Sequence, residues 1–399
     1  MVRTSRSAAD VRSAVFRLPL ATRRTIAEYL NSSHVTVNKA LQALEASGDI
    51  VATASLRANG SGRPSDVFSL RPDSFYGIGV HLEPGLARVV LLDAEKKVAA
   101  NWSLPLPRRY RNEVEVQHTL LDTTRWAFSQ ASGVVDREKV VAIGFALLGF
   151  VDTAACVWRG GLQFGTLKNL DVKALLKEIG SVSIHIEDTS RSLTHFQIMT
   201  SNETQTDEHF VLINMGIGLG AGFVVNREVF LGNGGIVGEI GHIPFGNSTY
   251  RCACGNLGCA ETMLSAGGMR NVFAGRLAQG VRSNLNDRAN TDHPPTIREI
   301  LESAEAGDHF TRSTLFELGA MLGDLVDFVF KCYTPGPVVL AGEGSLLSDY
   351  LIPAMTQTLS TKTLPEILQH HEVFVQKHDG MNEATGAGML GMKSFLLSS

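Results

Sequence analysis

The chain has 399 residues, of which 44% are hydrophobic and 19% charged, and its formal net charge is −4. This composition is typical of a folded globular protein and excludes a fibrous or mostly disordered chain. No run of about 18 apolar residues occurs, and the arginine-rich start contains no apolar signal core, so we expect a cytoplasmic protein without membrane insertion.

The charge is unevenly distributed along the chain. Residues 1–73 contain ten Lys or Arg and six Asp or Glu, a net +4, which leaves −8 for the rest. A basic head on an acidic body favours a head that binds a polyanion.

Residues 21–50 predict two short helices joined by a tight turn. Val37, Leu41 and Leu44 recur at helical spacing, so the second helix can bury one face. Asn31-Ser32-Ser33 supplies the turn and an N-cap, because its side-chain oxygens accept from backbone N–H groups of the next helix. The segment therefore predicts a helix-turn-helix.

A preceding helix at about 8–16 and two strands at 50–54 and 66–70 would complete a winged helix-turn-helix. In such domains the second helix enters the major groove, and the loop of the wing reaches phosphate or the minor groove. The residues that we expect to contact DNA are polar or basic: His34, Thr36, Asn38, Lys39, Arg57 and Arg63. The alternative is a small helical dimerisation module with a solvated basic face.

The body alternates short β-branched strands with amphipathic helices, which predicts an α/β architecture with covered sheets. The expected strands include residues 140–146, 182–186, 210–214, 222–225 and 338–341, and the expected helices include 114–131, 265–279 and 313–330.

Three cysteines, Cys252, Cys254 and Cys259, lie within eight residues, and His242 precedes them. Thiolates and imidazole are the preferred ligands of tetrahedral zinc, and two glycines let the intervening loop turn tightly. Because protein ligands fill all four positions, the predicted Zn²⁺ is structural. The alternative is a set of three reduced surface thiols.

Residues 235–242 read G-x-x-G-E-x-G-H, and residues 252–261 read C-x-C-G-x-x-G-C-x-E. This pattern resembles the signature of the ROK family, which comprises repressors, open reading frames and sugar kinases. The resemblance covers essentially the whole chain. It implies a winged helix-turn-helix followed by a two-lobed actin-like/hexokinase-like ATPase fold.

The resemblance also implies a division into domains. We expect a DNA-binding domain at 1–73 and a small α/β lobe at 74–190 with 375–399. A larger α/β lobe at 191–374 would carry the zinc site, effector binding and oligomerisation.

In ROK sugar kinases, two glutamates and a histidine of this signature bind sugar hydroxyls. The matching positions here are Glu239, His242 and Glu261, so the resemblance implies effector binding by these three. Carboxylates beside a metal-bound histidine form a set of hydrogen-bonding groups held in fixed positions. The alternative is that the two glutamates only brace the zinc loop.

The chain departs from the kinases where they perform chemistry. Their catalytic aspartate lies in an I-E-N-D-A-N-like stretch, and residues 186–191 read I-E-D-T-S-R. Ungapped alignment puts Thr189, which has no basic pKa, at the base position, and only a one-residue shift would put Asp188 there. The first phosphate loop, D-x-G-G-T, becomes His81-Leu82-Glu83-Pro84-Gly85, whose acid repels ATP, whereas the glycine loop at 216–222 is intact.

These observations predict a ROK-type transcriptional regulator of carbohydrate metabolism, favour a repressor, and argue against kinase activity. A sugar-like ligand between the lobes would control binding to a double-stranded DNA operator, and a homodimer or homotetramer is expected. Two alternatives remain: a sugar kinase with an accessory DNA-binding head, and a regulator controlled by protein docking.

Overall fold

The computed structural model describes residues 6–18, 20–56, 65–161, 164, 167–201, 208–245, 250–286, 293–333, 336–369 and 371–398. The chain forms two compact units, Met1–Thr204 with Met381–Ser399 and Gln205–Gly380. The first unit contains the head and one five-stranded sheet, and the second contains the other five-stranded sheet.

The head has the order of elements of a winged helix-turn-helix, as predicted. Its elements are α1 (Arg6–Arg17), α2 (Arg23–Tyr29), α3 (His34–Ser47), β1 (Ile50–Leu56) and β2 (Ser65–Leu70), with the two strands antiparallel. The wing tip at 57–64, with Arg57 and Arg63, lies outside the described residues.

Local signals set the bounds of α3. The Ser33 side chain accepts from the N–H of Thr36 at 3.1 Å and caps the first turn. Gly48 ends the helix in the left-handed region at φ 77°, where glycine carries no steric cost. Val37 and Leu41 are fully buried, so α3 turns its opposite face to solvent.

The strands of the sheet of the first unit are β3 (Tyr76–Glu83), β4 (Leu86–Asp93), β5 (Val98–Pro105), β6 (Val140–Leu147) and β10 (Ser183–Asp188). Their order is β10-β6-β3-β4-β5, with β3, β4 and β5 antiparallel and β3, β6 and β10 parallel. A small sheet joins β7 (Val151–Asp152), β8 (Val157–Trp158) and β9 (Leu170–Asp171). The helices are α4 (Glu113–Ser132), α5 (Val172–Leu175), α6 (Thr189–Thr200) and α13 (Asn382–Ser398).

The second unit repeats this topology, since an antiparallel meander is again followed by two parallel strands: β11 (Phe210–Met215), β12 (Leu219–Val225), β13 (Glu228–Val229), β14 (Val338–Ala341) and β15 (Val373–Val375). The strand order is β13-β12-β11-β14-β15. Its helices are α7 (Glu261–Leu264), α8 (Ala266–Ala278), α9 (Ile297–Glu305), α10 (His309–Tyr333), α11 (Ser348–Lys362) and α12 (Pro365–Leu368). The duplicated sheet fits the expected actin-like fold. None of the helices within the described ranges combines the length and apolarity needed to cross a bilayer.

Glycines allow α13 to lie directly on the first sheet. A Cβ added at Gly79 would lie 1.9 Å from the backbone oxygen of Ala384, and one at Gly144 would lie 1.8 Å from that of Ala387. No side chain fits at such distances, so these two strand positions require glycine. The C-terminal helix therefore covers the middle of the sheet on which the head also packs.

The head is joined to this sheet by the turn between β4 and β5. The Lys96 ammonium donates to the backbone oxygen of Phe16 at 2.7 Å, at the end of α1, and burial lowers the Lys96 pKa to about 8. Next to it, the Ser69 hydroxyl of β2 donates to Glu95 at 2.7 Å. The apolar core of the head continues into that of the sheet and α13, so they form one packed body.

Candidate functional site

The predicted metal ligands come together in the second unit. One ligand atom from each of His242, Cys252, Cys254 and Cys259 lies within 4.8 Å of the others. The Cys254 and Cys259 sulfurs are 3.6 Å apart, and the Cys252 sulfur is 3.5 Å from Nδ1 of His242. Bonds of about 2.3 Å to one tetrahedral zinc place sulfurs about 3.8 Å apart, so the spacing fits this ion. It is also too long for a disulfide, for which sulfurs lie about 2.05 Å apart.

Backbone geometry builds this cluster from a short segment. Gly255 and Gly258 have φ values of 97° and 69°, so the chain reverses between Cys254 and Cys259. The Cys252 N–H donates to the oxygen of Asn256 at 2.9 Å and closes the loop. The sulfur-bearing loop is therefore preorganised by its own hydrogen bonds.

The carboxylates of the signature lie beside the cluster. Oε2 of Glu239 is 3.8 Å from Nε2 of His242, on the ring edge opposite Nδ1, and the Glu239 side chain is 48% exposed. Oε1 of Glu261 is 3.8 Å from the sulfur of Cys252, and its Oε2 accepts from the Leu219 N–H at 3.2 Å. Glu261 thus connects the metal loop to the glycine loop, whereas the side chains of Glu239 and His242 are partly exposed to solvent.

An arginine holds the carboxylate next to Thr189, the residue that matches the position of the kinase base. Asp188 caps α6 by accepting from the Arg191 N–H at 3.0 Å, and its other oxygen lies 2.6 Å from the Arg191 Nε. Arg191 also binds Glu187 at 2.6 Å, and both of these side chains are only 3% exposed. Burial raises the Asp188 pKa to about 6, although the guanidinium favours its charged form. Thr189 donates to the backbone oxygen of Leu147 at 3.3 Å.

Carboxylates lie beside both hairpin turns that match the phosphate loops. Glu83, at the β3–β4 turn, is buried and forms an ion pair with Arg88. In the β11–β12 turn, a Cβ at Gly218 would lie 3.0 Å from Oε2 of Glu261. The charge of Glu83 is thus compensated by an arginine, and Glu261 lies beside a glycine loop that keeps the kinase pattern.

The predicted DNA-contacting residues of α3 differ in their surroundings. His34, Thr36 and Lys39 are exposed, whereas Asn38 is half-buried. The Thr36 hydroxyl lies 2.9 Å from that of Ser33, within the helix cap.

Sequence reasoning missed the role of Arg23. Its Nε donates to Oδ1 of Asn38 at 3.1 Å, its Nη1 lies 2.8 Å from Asp66, and its guanidinium lies 5.0 Å from the ring centroid of Phe68. Arg23 therefore links α2, α3 and the wing. The sequence feature that could have indicated this role is the pair of consecutive arginines, Arg23-Arg24, at the start of α2.

Together, the head, the duplicated sheets and the metal-ligand cluster define a winged-helix protein whose body has the actin-like ATPase fold. The family model described as "ROK family" matches residues 81–396. The chain belongs to the ROK family.

Similar proteins include regulators and kinases. The DNA-binding transcriptional dual regulator NagC of Escherichia coli K12 is 29% identical over 367 residues, covering 88% of this chain and 85% of NagC. The crystal structure of a ROK family transcriptional regulator, homologous to E. coli Mlc, matches with a TM-score of 0.79 and 21% identity over 98% of each chain. A Streptomyces griseus ROK glucokinase, in complex with glucose and AMPPNP, has a TM-score of 0.68 and 19% identity, covering 80% of this chain and 99% of the kinase.

Proposed function

We propose that the chain is a transcriptional repressor that binds operator DNA, responds to a sugar-like ligand and has no kinase activity. The observation that carries this proposal is a winged-helix head on a ROK body in which Thr189 matches the base position and the neighbouring Asp188 is held by Arg191. Relatives named as regulators support it, among them NagC, Mlc and a xylose repressor of Caldicellulosiruptor bescii.

In this proposal residues 1–73 bind DNA. The N-terminal half of α3 enters the major groove with His34, Thr36, Asn38 and Lys39, and the wing contacts phosphate or the minor groove through Arg57 and Arg63. The Asn38 amide oxygen accepts from Arg23, so its amino group is the part best placed to meet a base. A homodimer or homotetramer would present paired heads to two half-sites.

Lys39→Ala is expected to weaken binding to all duplexes alike, because Lys39 is exposed and supplies one positive charge to phosphate. The slope of log K against log salt should fall by about one. The measurement is a salt titration of binding to a duplex selected from a random pool. Lys177→Ala, at an exposed lysine of the body, is the matched control and should keep the parent slope. Equal slopes for both variants and the parent would contradict the placement of α3.

The ligand site is proposed at Glu239, His242 and Glu261, where the two carboxylates would accept hydrogen bonds from sugar hydroxyls and the zinc-bound histidine would donate one from its other ring N–H. Zn²⁺ held by His242, Cys252, Cys254 and Cys259 would fix the histidine ring and take no part in chemistry, since all four positions are protein ligands. Glu261 also accepts from the Leu219 N–H at 3.2 Å, so a change at this residue would affect the glycine loop as well as the ligand. A substitution of Glu239 therefore tests ligand binding more directly than a substitution of Glu261.

Glu239→Gln is expected to weaken binding of the effector by about 10-fold or more, because hydrogen bonds to a charged group contribute about 1.5–3 kcal/mol. N-acetylglucosamine, xylose and glucose are tested for a rise in the melting temperature of the full chain. A saturating ligand at about 100 times its Kd adds about 2.7 kcal/mol. Glu366→Gln, at an exposed glutamate of the same unit, should bind like the parent. Unchanged ligand affinity in Glu239→Gln would remove Glu239 from the site.

The kinase alternative is favoured by the likeness to glucokinases, including that of Halalkalibacterium halodurans at 25% identity over 302 residues. A coupled assay with ATP and the same sugars is expected to show no turnover. Turnover by the parent that is lost in Asp188→Ala would overturn the proposal that the chain has no kinase activity.

A further inference from the structure

Val35 is an apolar side chain in the middle of the proposed DNA-binding surface. It is 80% exposed, more than any other large hydrophobic side chain within the described residues. It is the second residue of α3, between the exposed His34 and Thr36. Because Val37 and Leu41 are buried against the head, Val35 points away from the core.

The polar neighbours of Val35 already hold contacts within the head. The Thr36 hydroxyl lies 2.9 Å from the Ser33 hydroxyl, and Oδ1 of Asn38 accepts from Arg23. These contacts hold the two polar side chains in place within the head, and each oxygen keeps a further acceptor site for a base edge. Val35 instead presents only its methyl groups to solvent.

We propose that Val35 determines operator specificity by packing its methyl groups against the C5 methyl of a thymine. That methyl is the one apolar group that a base pair presents in the major groove, so an apolar side chain there distinguishes thymine from cytosine. Burying it removes apolar surface of both partners from water. The inference rests on the proposed function, in which the start of α3 enters the major groove.

The test removes the thymine methyl and nothing else. A duplex selected from a random pool by the full-length protein is remade with each thymine of one half-site replaced, one at a time, by deoxyuridine. For the parent, replacement at one thymine position is expected to weaken binding to the duplex about fourfold. This is the loss expected when one methyl-sized apolar group is no longer buried in the interface. For Val35→Ala, the same replacement should change affinity by less than about 1.5-fold. Val114→Ala, at an exposed valine of helix α4, should behave like the parent.

Each outcome has a distinct meaning. If the parent has no methyl-sensitive thymine, or if Val35→Ala keeps the full penalty, the role of Val35 is overturned while operator binding stands. If the parent binds no duplex at low salt, the proposed function fails, and the inference fails with it. Because Val35 is exposed, Val35→Ala should melt with the parent, so a loss of the penalty reports on recognition.

Discussion

Cys254→Ser is expected to release the metal ion and to destabilise the second unit by several kcal/mol. The Cys254 sulfur lies 3.6 Å from that of Cys259 at one corner of the four-ligand cluster, and serine is a poor zinc ligand. Binding of structural zinc contributes about 10–16 kcal/mol in zinc-finger peptides, and a site that folds with its metal loses much of this when one ligand is removed. Metal content by atomic absorption and thermal melting measure the two effects.

Cys332→Ser is the matched control, since Cys332 is an exposed cysteine outside the cluster. It should keep about one zinc per chain and the parent melting temperature. A strong chelator added to the parent should reproduce the lower melting temperature of Cys254→Ser. Purified parent without zinc, or a Cys254→Ser variant that retains both metal and stability, would contradict a structural zinc site.

Local signals explain why the head was predictable from sequence. The helix expected at about 8–16 spans Arg6–Arg17, and the strand expected at 66–70 spans Ser65–Leu70. Caps at Ser33 and Gly48 set the bounds of α3 within the chain itself. The metal cluster was predictable for the same reason, because three of its ligands lie on one loop.

Features that depend on distant packing were not predictable. Helix α13 contains Gly386, Gly388 and Gly391, and glycine is a poor helix former in isolation. Gly388 lies against Gly79 and Gly391 against Gly144, so tertiary contact overrides local propensity. The bond from Arg23 to Asn38 joins residues 15 apart in sequence, and neither spacing nor composition indicates it.

Spacing alone also did not predict the buried charge cluster at the start of α6. Residues 186–191 indicated only that the kinase pattern was altered. The structure shows Arg191 bound to both Glu187 and Asp188, and its Nη2 donates to the backbone oxygen of Val151 at 3.1 Å. The arginine that departs from the kinase pattern therefore pairs with the two carboxylates that precede Thr189, the position where a kinase would keep its catalytic aspartate.

Arg191→Met is expected to destabilise the first unit by about 3–5 kcal/mol at neutral pH, the usual cost of leaving buried charges without their partner. Glu187 and Arg191 are both 3% exposed, so water cannot replace the lost guanidinium. Arg125→Met is the matched control, because its pairs with Asp122 and Glu178 are exposed and such pairs contribute at most about 1 kcal/mol. Thermal melting of both full-length variants provides the comparison.

The pH dependence identifies the cause of this loss. Burial already raises the Asp188 pKa to about 6, above the value of about 3.9 for an unfolded chain, and removing Arg191 raises it further. The folded variant then binds protons that the unfolded chain does not, so its stability falls as pH rises through the folded pKa. The difference in melting temperature between parent and Arg191→Met should therefore be largest near pH 7.5 and smaller near pH 5. A difference in melting temperature that does not change with pH would instead assign the loss to packing of the arginine side chain. An Arg191→Met variant as stable as the parent would show that the carboxylates do not need its charge.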